Sequence, residues 1–204
     1  MTYSRKTRLS TICDVQSGYT ARTALKPSAS GVPAVQLRDL RGEADFDPAR
    51  AETFPLSTPL ERYQARTGDL LFRSRGERNT AVVVFSDSKA SAIAILPLMV
   101  LRPHPDVVDP RYLAWFINQP MTQRYFDGCA HGTAMRMIPK ASIDALEIEL
   151  PGLATQRLIV EIDALARREQ ALAHELADQK WNLRDSPCWS RREMPSPTAM
   201  GLGA

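Results

Sequence analysis

The sequence predicts a mixed α/β (α+β) globular domain followed by a long helix of coiled-coil type. Three observations carry this. Short apolar, β-branched runs separated by turn residues fill the first part of the chain. A helical block opens at Asp109-Pro110, and from residue 155 onward apolar side chains recur with a seven-residue period.

Taken in order, residues 32–40 read as a strand, with Val35 and Leu37 on one face and Gln36 and Arg38 on the other. Pro55, Pro59 and the Thr67-Gly68-Asp69 turn punctuate a loop-rich stretch. Leu70-Leu71-Phe72 form a strand that runs into a polar loop over residues 73–80. Ala81-Val82-Val83-Val84-Phe85 is apolar throughout, which suits a strand covered on both faces, and residues 92–96 and 98–101 continue in that manner. Asp109 caps a helix whose first position is Pro110; Pro120 divides the helical block and Gly128 ends it. Trp115, Phe116, Tyr125 and Phe126 are read as core packing. Leu146, Ile148 and Leu150 alternate with Glu147 and Glu149, marking a last half-buried strand stopped by Pro151.

Residues 155–183 behave differently. Leu158, Ile162, Leu165, Glu169, Leu172, Leu176, Gln179 and Leu183 are spaced alternately four and three apart, a heptad seam with two polar breaks. At 1.5 Å per residue the helix is roughly 43 Å long. Packing on its own domain is the plain alternative, but a domain of roughly 150 residues has a radius of gyration of only about 15 Å. The repeat therefore predicts a helical partner. The Ser-, Pro- and Gly-rich stretch beyond Arg184 has the composition of a flexible tail. The boundaries expected are 1–152 for the domain, 153–184 for the helix and 185–204 for the tail.

Composition narrows the function classes. No run of roughly 18 apolar residues exists to span a membrane, and the basic N-terminus is not followed by an apolar signal core, so a cytoplasmic protein is expected. Cys13, Cys129 and Cys188 are odd in number and far apart, as are His104, His131 and His174, which supports neither a zinc site nor a disulfide framework. The net charge is +3, and the basic excess sits in the first 82 residues, with 13 Lys and Arg against 9 Asp and Glu. Such an excess equally fits a solvated face. Glycine loops for phosphates or S-adenosylmethionine, nucleophile elbows and zinc-hydrolase motifs are absent. A small enzyme with a scattered active site stays open as an alternative, and would need a pocket with convergent titratable groups.

Three polar loops instead carry groups that read nucleic acid. Residues 16–22 hold Tyr19, Thr20 and Arg22; residues 73–80 hold Arg73, Ser74, Arg75, Arg78 and Asn79; residues 132–136 hold Thr133 and Arg136, with Lys140 just beyond. Arginine forks pair with phosphates or guanine edges, asparagine pairs with adenine, and hydroxyls serve either. One arginine-rich loop is more often merely solvated; three flanking the strands of one domain carry more weight.

The order of these segments resembles the specificity (S) subunits of type I restriction–modification systems. Leu9-Ser10-Thr11-Ile12 with Gly18-Tyr19-Thr20 is similar to the opening of a target-recognition domain in that family. Val32-Pro33-Ala34-Val35 with Arg38-Asp39-Leu40 resembles its next strand and turn, and residues 68–76 its "gDil.s.rG" segment. Tyr112-Leu113, Gly132-Thr133 and Ile138-Pro139 resemble the later signature, and residues 150–159 the strand–proline–helix transition into its spacer helix. Gly152 and Ala154-Thr155 depart from the proline-proline-acidic pattern usual at that transition. Family members also carry two recognition domains and two spacer helices, so this chain resembles a half-size form, with a truncated subunit or a solitary relative recruited elsewhere as the alternatives.

The resemblance implies a target-recognition domain and a spacer helix with no catalysis of its own. It further implies double-stranded DNA as ligand and a separate adenine methyltransferase subunit that binds S-adenosylmethionine, so that this chain binds no cofactor. A restriction motor–nuclease subunit can join such complexes. A one-domain chain would regain the two-domain shape by forming a homodimer through Leu158, Ile162, Leu165, Leu172, Leu176 and Leu183. A protein–protein adaptor with the same architecture and no DNA binding is the alternative.

Overall fold

The computed structural model describes residues 5–40, 45–56, 60–76, 78–132 and 136–184, with side chains described as far as residue 179. Strand β1 (Arg5–Arg8) leads through the one-turn helix α1 (Leu9–Ile12) into β2 (Cys13–Ser17). After a loop come β3 (Val32–Val35) and the two-residue strands β4 (Asp45–Phe46), β5 (Thr53–Phe54) and β6 (Gln64–Ala65). The apolar runs then form β7 (Leu70–Arg73), β8 (Ala81–Val84), β9 (Ala92–Ala94) and β10 (Leu98–Pro103). Helices α2 (Pro110–Asn118), α3 (Pro120–Cys129) and α4 (Lys140–Asp144) precede β11 (Glu147–Leu150) and the long α5 (Leu153–Arg184). Contacts divide the chain into two units, Met1–Val160 and Glu161–Ala204.

In the first unit, β10, β7 and β8 are the centre of a five-stranded sheet ordered β2-β10-β7-β8-β4, antiparallel except between β8 and β4. Successive side chains on a strand point to opposite faces. Leu70, Phe72, Ala81, Val83, Met99 and Leu101 accordingly share one core with Leu113, Ile117, Phe126 and Ile143 of the helices. Leu71, Val82, Val84, Leu98 and Val100 enter a second core with Val35, Leu40, Phe46, Ala92 and Ala94. The run 81–84 is thus buried on both faces, as its composition predicts, while Phe85 at its end is exposed. A four-stranded sheet ordered β5-β3-β9-β6 and a β1–β11 ribbon complete the unit.

The expected strand over 32–40 ends early. After Val35 the chain turns into a 3-10 segment, Leu37–Leu40, because the Asp39 carboxylate accepts the backbone N–H of Gln36 at 2.7 Å. A side chain that satisfies the backbone locally competes with the sheet ladder, and in this segment it wins. Gln36 and Leu37 therefore leave the alternating register that would have put them on opposite faces of a sheet. The helical block follows expectation more closely. Asp109 Oδ1 accepts from the N–H groups of Arg111 and Tyr112 at 2.9 and 3.3 Å, and proline opens both α2 and α3. Gly128 lies within the last turn of α3, which closes at Cys129. Phe126 is fully buried, and Trp115, Phe116 and Tyr125 pack against the same core. The Tyr112 hydroxyl donates to the Glu149 carbonyl at 2.6 Å, tying α2 to β11, and burial pushes its pKa up to about 12.

Helix α5 starts in this unit and is anchored by Gln156, which is wholly buried. Its Oε1 accepts from Asp109 N–H at 2.8 Å, and its Nε2 donates to the carbonyls of Pro151 and Val107 at 2.8 and 3.1 Å. Ile159 and Val160 add apolar contact to the core. Along the seam Leu158, Ile162, Leu165, Leu172 and Leu176 are between 52% and 67% exposed. Residue 183 is helical, and its side chain lies outside the described residues, as does the segment 185–204. Among the described residues no helix is long and apolar enough to cross a membrane.

One glycine is dictated by close approach. A Cβ on Gly18 would stand 2.5 Å from the Leu98 carbonyl oxygen and 2.8 Å from that of Ala94, both main-chain atoms of neighbouring strands. Gly18→Ala should lower stability by about 1–3 kcal/mol, the usual range for overpacking, as read from the urea midpoint. An unchanged midpoint would mean that the 16–22 loop is free to retreat from this contact.

Candidate nucleic-acid interface

Two of the polar loops meet at one turn, and the residues flanking the third join them through Ser74 and Arg75. Between β9 and β10 the chain reverses at Leu96-Pro97, joined by a cis peptide bond. On one side of this turn, Leu96 N–H donates to the Tyr19 carbonyl at 3.0 Å, and Tyr19 N–H donates to the Ala94 carbonyl at 2.7 Å. On the other side the Pro97 carbonyl accepts twice from Ser74, from its Oγ at 2.6 Å and its N–H at 3.2 Å. The Ser74 carbonyl in turn accepts from Ile138 N–H at 2.8 Å. A small antiparallel pairing of His131 with Met137 closes the third loop, and Met137 also bridges to Arg75. Residues far apart in sequence are thereby held in register by backbone-directed bonds, which fix position more firmly than contacts between long side chains.

Two of the sequence-derived candidates hold this cluster together from inside. Ser74 is fully buried and commits its hydroxyl to Pro97. Asn79 is buried; its amide donates to the Arg73 carbonyl at 2.9 Å, and its main chain exchanges two bonds with the Gln123 side chain, at 3.2 and 3.0 Å. These bonds brace the 73–80 loop from within. Tyr19 is half-buried and meets Tyr63 edge-on, with ring centroids 5.5 Å apart.

The remaining candidates divide by how their charge is answered. Thr20, Arg22 and Arg78 are exposed, and neither arginine has an ion-pair partner among the described residues. Arg136 reaches Asp127 at 3.0 Å, and Lys140, at the start of α4, reaches Asp144 at 2.6 Å. Exposed pairs of this kind are worth about 0–1 kcal/mol, so a phosphate can replace either carboxylate at little cost. Thr133 lies outside the described residues.

Arg73 and Arg75 differ from all of these. Among the described residues three buried side-chain nitrogens have no hydrogen-bond partner: Arg73 Nε, Arg75 Nε and Gln36 Nε2. Arg73 and Gln36 line one open cleft of about 360 Å³ with Leu37, Arg38, Leu96 and Pro97. Arg38 is already engaged, by Glu52 at 2.6 Å and Asp39 at 3.5 Å. Arg75 has one weak contact, from Nη2 to Met137 Sδ at 3.9 Å. In the sequence Gln36 reads only as the polar face of a strand. The signal against that reading is Asp39 three positions on, a residue able to turn the backbone and bring Gln36 to a loop. Among the described residues no group of three His, Cys, Asp or Glu could hold a metal ion.

Comparison with known proteins bears on the fold. No protein-family model matches the chain, and no curated protein does. Solved structures do match. The HsdS subunit from Thermoanaerobacter tengcongensis has a TM-score of 0.61 at 23% identity, over 84% of this chain and 39% of its own. A chain from a study of complex assembly and conformational transition of the type I R-M system has a TM-score of 0.64 at 23% identity, over 88% of this chain and 42% of its own. The type-I restriction-modification system S subunit from M. genitalium has a TM-score of 0.54 at 12% identity, over 90% and 44%. This chain has the fold of part of those proteins and spans about two-fifths of their length.

The division into bracing and outward residues is measurable. Asn79→Ala removes a buried amide that donates to the Arg73 carbonyl and should cost about 1–3 kcal/mol, and Ser74→Ala about 1 kcal/mol, in urea unfolding. Arg22→Ala and Arg78→Ala should stay within about 0.5 kcal/mol of the parent. Similar midpoints for all four would mean that Ser74 and Asn79 do not brace the loop.

Proposed function

We propose that this chain recognises specific double-stranded DNA and directs a separate adenine methyltransferase to it, in the manner of a type I specificity subunit with one recognition domain and one spacer helix. The observation that carries the reading is the meeting of the Tyr19 and Ser74 loops at the Leu96-Pro97 turn, with the segment around Met137 and Ile138 joined to the Ser74 loop, in a fold shared with S subunits. The outward arginines supply phosphate and base contacts, beyond the ends of central strands that bury apolar side chains on both faces. S-adenosylmethionine belongs on the partner, and a restriction motor subunit can join the same assembly. The exposed heptad seam of α5 serves partner binding.

Tagging the full chain in its native cell and identifying what co-purifies tests this most directly. A methyltransferase subunit should be recovered, and the chain alone should methylate nothing. In the assembled complex Arg75→Ala should weaken DNA binding by about 1–3 kcal/mol. Arg78→Ala, at an exposed position with no ion-pair partner among the described residues, should lower affinity for all sequences alike and flatten the salt dependence by about one unit of slope. Recovery of protein partners together with salt-independent behaviour and no DNA binding would favour the adaptor reading instead.

The helix suggests a symmetric target. Two copies joined through α5 by a closed two-fold contact would present identical recognition domains to two half-sites. The span of roughly 43 Å for the seam is comparable with the roughly 34–36 Å between half-sites one DNA turn apart. Methylated adenines in the native genome should therefore fall in inverted repeats with unread bases between the halves. Leu165→Asp or Leu172→Asp should dissociate the dimer in sedimentation while leaving the unfolding midpoint of the recognition domain in place. An asymmetric motif with one short half would mean that the chain works as a monomer or pairs with a different subunit.

A further inference from the structure

Unpartnered buried nitrogens need a physical account. A buried donor left unsatisfied costs about 1–3 kcal/mol, and native proteins hold few of them. Among the described residues they fall on Gln36, Arg73 and Arg75, and two of these three, Gln36 and Arg73, line the same cleft. Two of the three are arginine Nε–H groups, which can only donate. The partner missing from the free chain is therefore an acceptor.

The setting of Arg73 sharpens this. Its main chain is fixed on both sides, N–H to the Thr80 carbonyl at 2.9 Å and carbonyl to the Asn79 amide at 2.9 Å. Its side chain lines the cleft with Gln36 and has no ion-pair partner among the described residues, whereas the neighbouring Arg38 is neutralised by Glu52 and Asp39. Gln36 is equally set in place, its N–H held by Asp39. Leu96, 38% exposed, gives the same cleft an apolar wall. A phosphate asks for charge on an open surface. A guanidinium half-buried beside an amide and an apolar wall instead suits a flat edge carrying two adjacent acceptors.

We propose that this cleft is the base-reading pocket of the domain: Arg73 takes the O6 and N7 acceptors of a guanine in the major groove, and Gln36 reads the base pair beside it. Arg78 and Arg22 lie outside the cleft and hold phosphates, positioning the duplex without specifying it. The assignment rests on the DNA-recognition reading above and adds to it which residues set the sequence.

Selection from a randomised duplex library separates the two levels. The full chain, purified from its native cell with whatever stays bound to it, is used as the parent, Arg73→Met, Gln36→Met and Arg78→Ala forms. The parent should enrich a defined motif. Arg73→Met should lose its preference for guanine at one position, with affinity for the parent motif falling about 5- to 150-fold, the range for a bidentate base contact. Gln36→Met should relax the adjacent position, and Arg78→Ala should keep the motif while lowering affinity across it. Because no side-chain hydrogen bond or ion pair among the described residues is lost, Arg73→Met should unfold at a urea concentration no lower than the parent. Motifs unchanged in both methionine forms overturn the cleft assignment and leave the DNA reading standing. Uniform weakening with the motif kept makes Arg73 a phosphate clamp and overturns the assignment in the same way, as does a marked drop in the Arg73→Met unfolding midpoint. A parent that enriches no motif overturns both levels.

Discussion

Strands β7, β8 and β10 bury side chains on both faces, and that constraint governs where chemistry can occur in this domain. A polar group placed on either face of the sheet would be taken from water without a partner, at a cost of several kcal/mol. Polar function is therefore pushed beyond the strand ends, into the loops at 73–80 and around Leu96-Pro97. Loops, however, are mobile by default. The domain answers with the two hydrogen bonds that Ser74 donates to the Pro97 carbonyl and the pair between the Asn79 main chain and the Gln123 side chain, which hold the loop backbone.

How much of this was legible in the sequence follows from the range of each interaction. Elements set by neighbours a few residues apart were readable: the apolar runs of β7, β8 and β10, the Asp109 cap, the proline that opens α3, and the heptad helix. The break after Val35 depends on an equally local contact, Asp39 to Gln36, but alternation of apolar and polar residues pointed to a strand and masked it. The pairing of β1 with β11 went unread because it joins the two ends of the domain. The bracing bonds of Ser74 and Asn79 went unread for the same reason. Their partners are 23 and 44 residues away, and a serine or asparagine in a polar loop looks the same in sequence whether it faces solvent or holds the loop from within.

The candidate site shows a complementary limit. Sequence supplied the arginines, because the residue type itself carries the chemistry. It could not rank them. Burial and partners do so: Arg136 and Lys140 are answered by carboxylates, Arg22 and Arg78 stand exposed, and Arg73 and Arg75 are half-buried with unused donors. Gln36 and Leu96 enter only through the fold, one by a 3-10 turn and the other by the β9–β10 reversal.

Energetics connect the helix to the same logic of incompleteness. Gln156 is a buried amide with all its contacts made, so the base of α5 is secured without help. Its seam is not, since Leu158, Ile162, Leu165, Leu172 and Leu176 keep more than half of their surface in water. Fully burying such a side chain contributes about 1.5–3 kcal/mol, so the exposed half of each is worth roughly 1 kcal/mol. Five from each of two helices give a gain on the order of 10 kcal/mol, inside the roughly 4–15 kcal/mol that association costs in lost freedom. Glu169, at a seam position, subtracts from the gain wherever two copies bring like charges together. A pair of helices with this composition would therefore sit close to balance, its gain and its cost being of the same size.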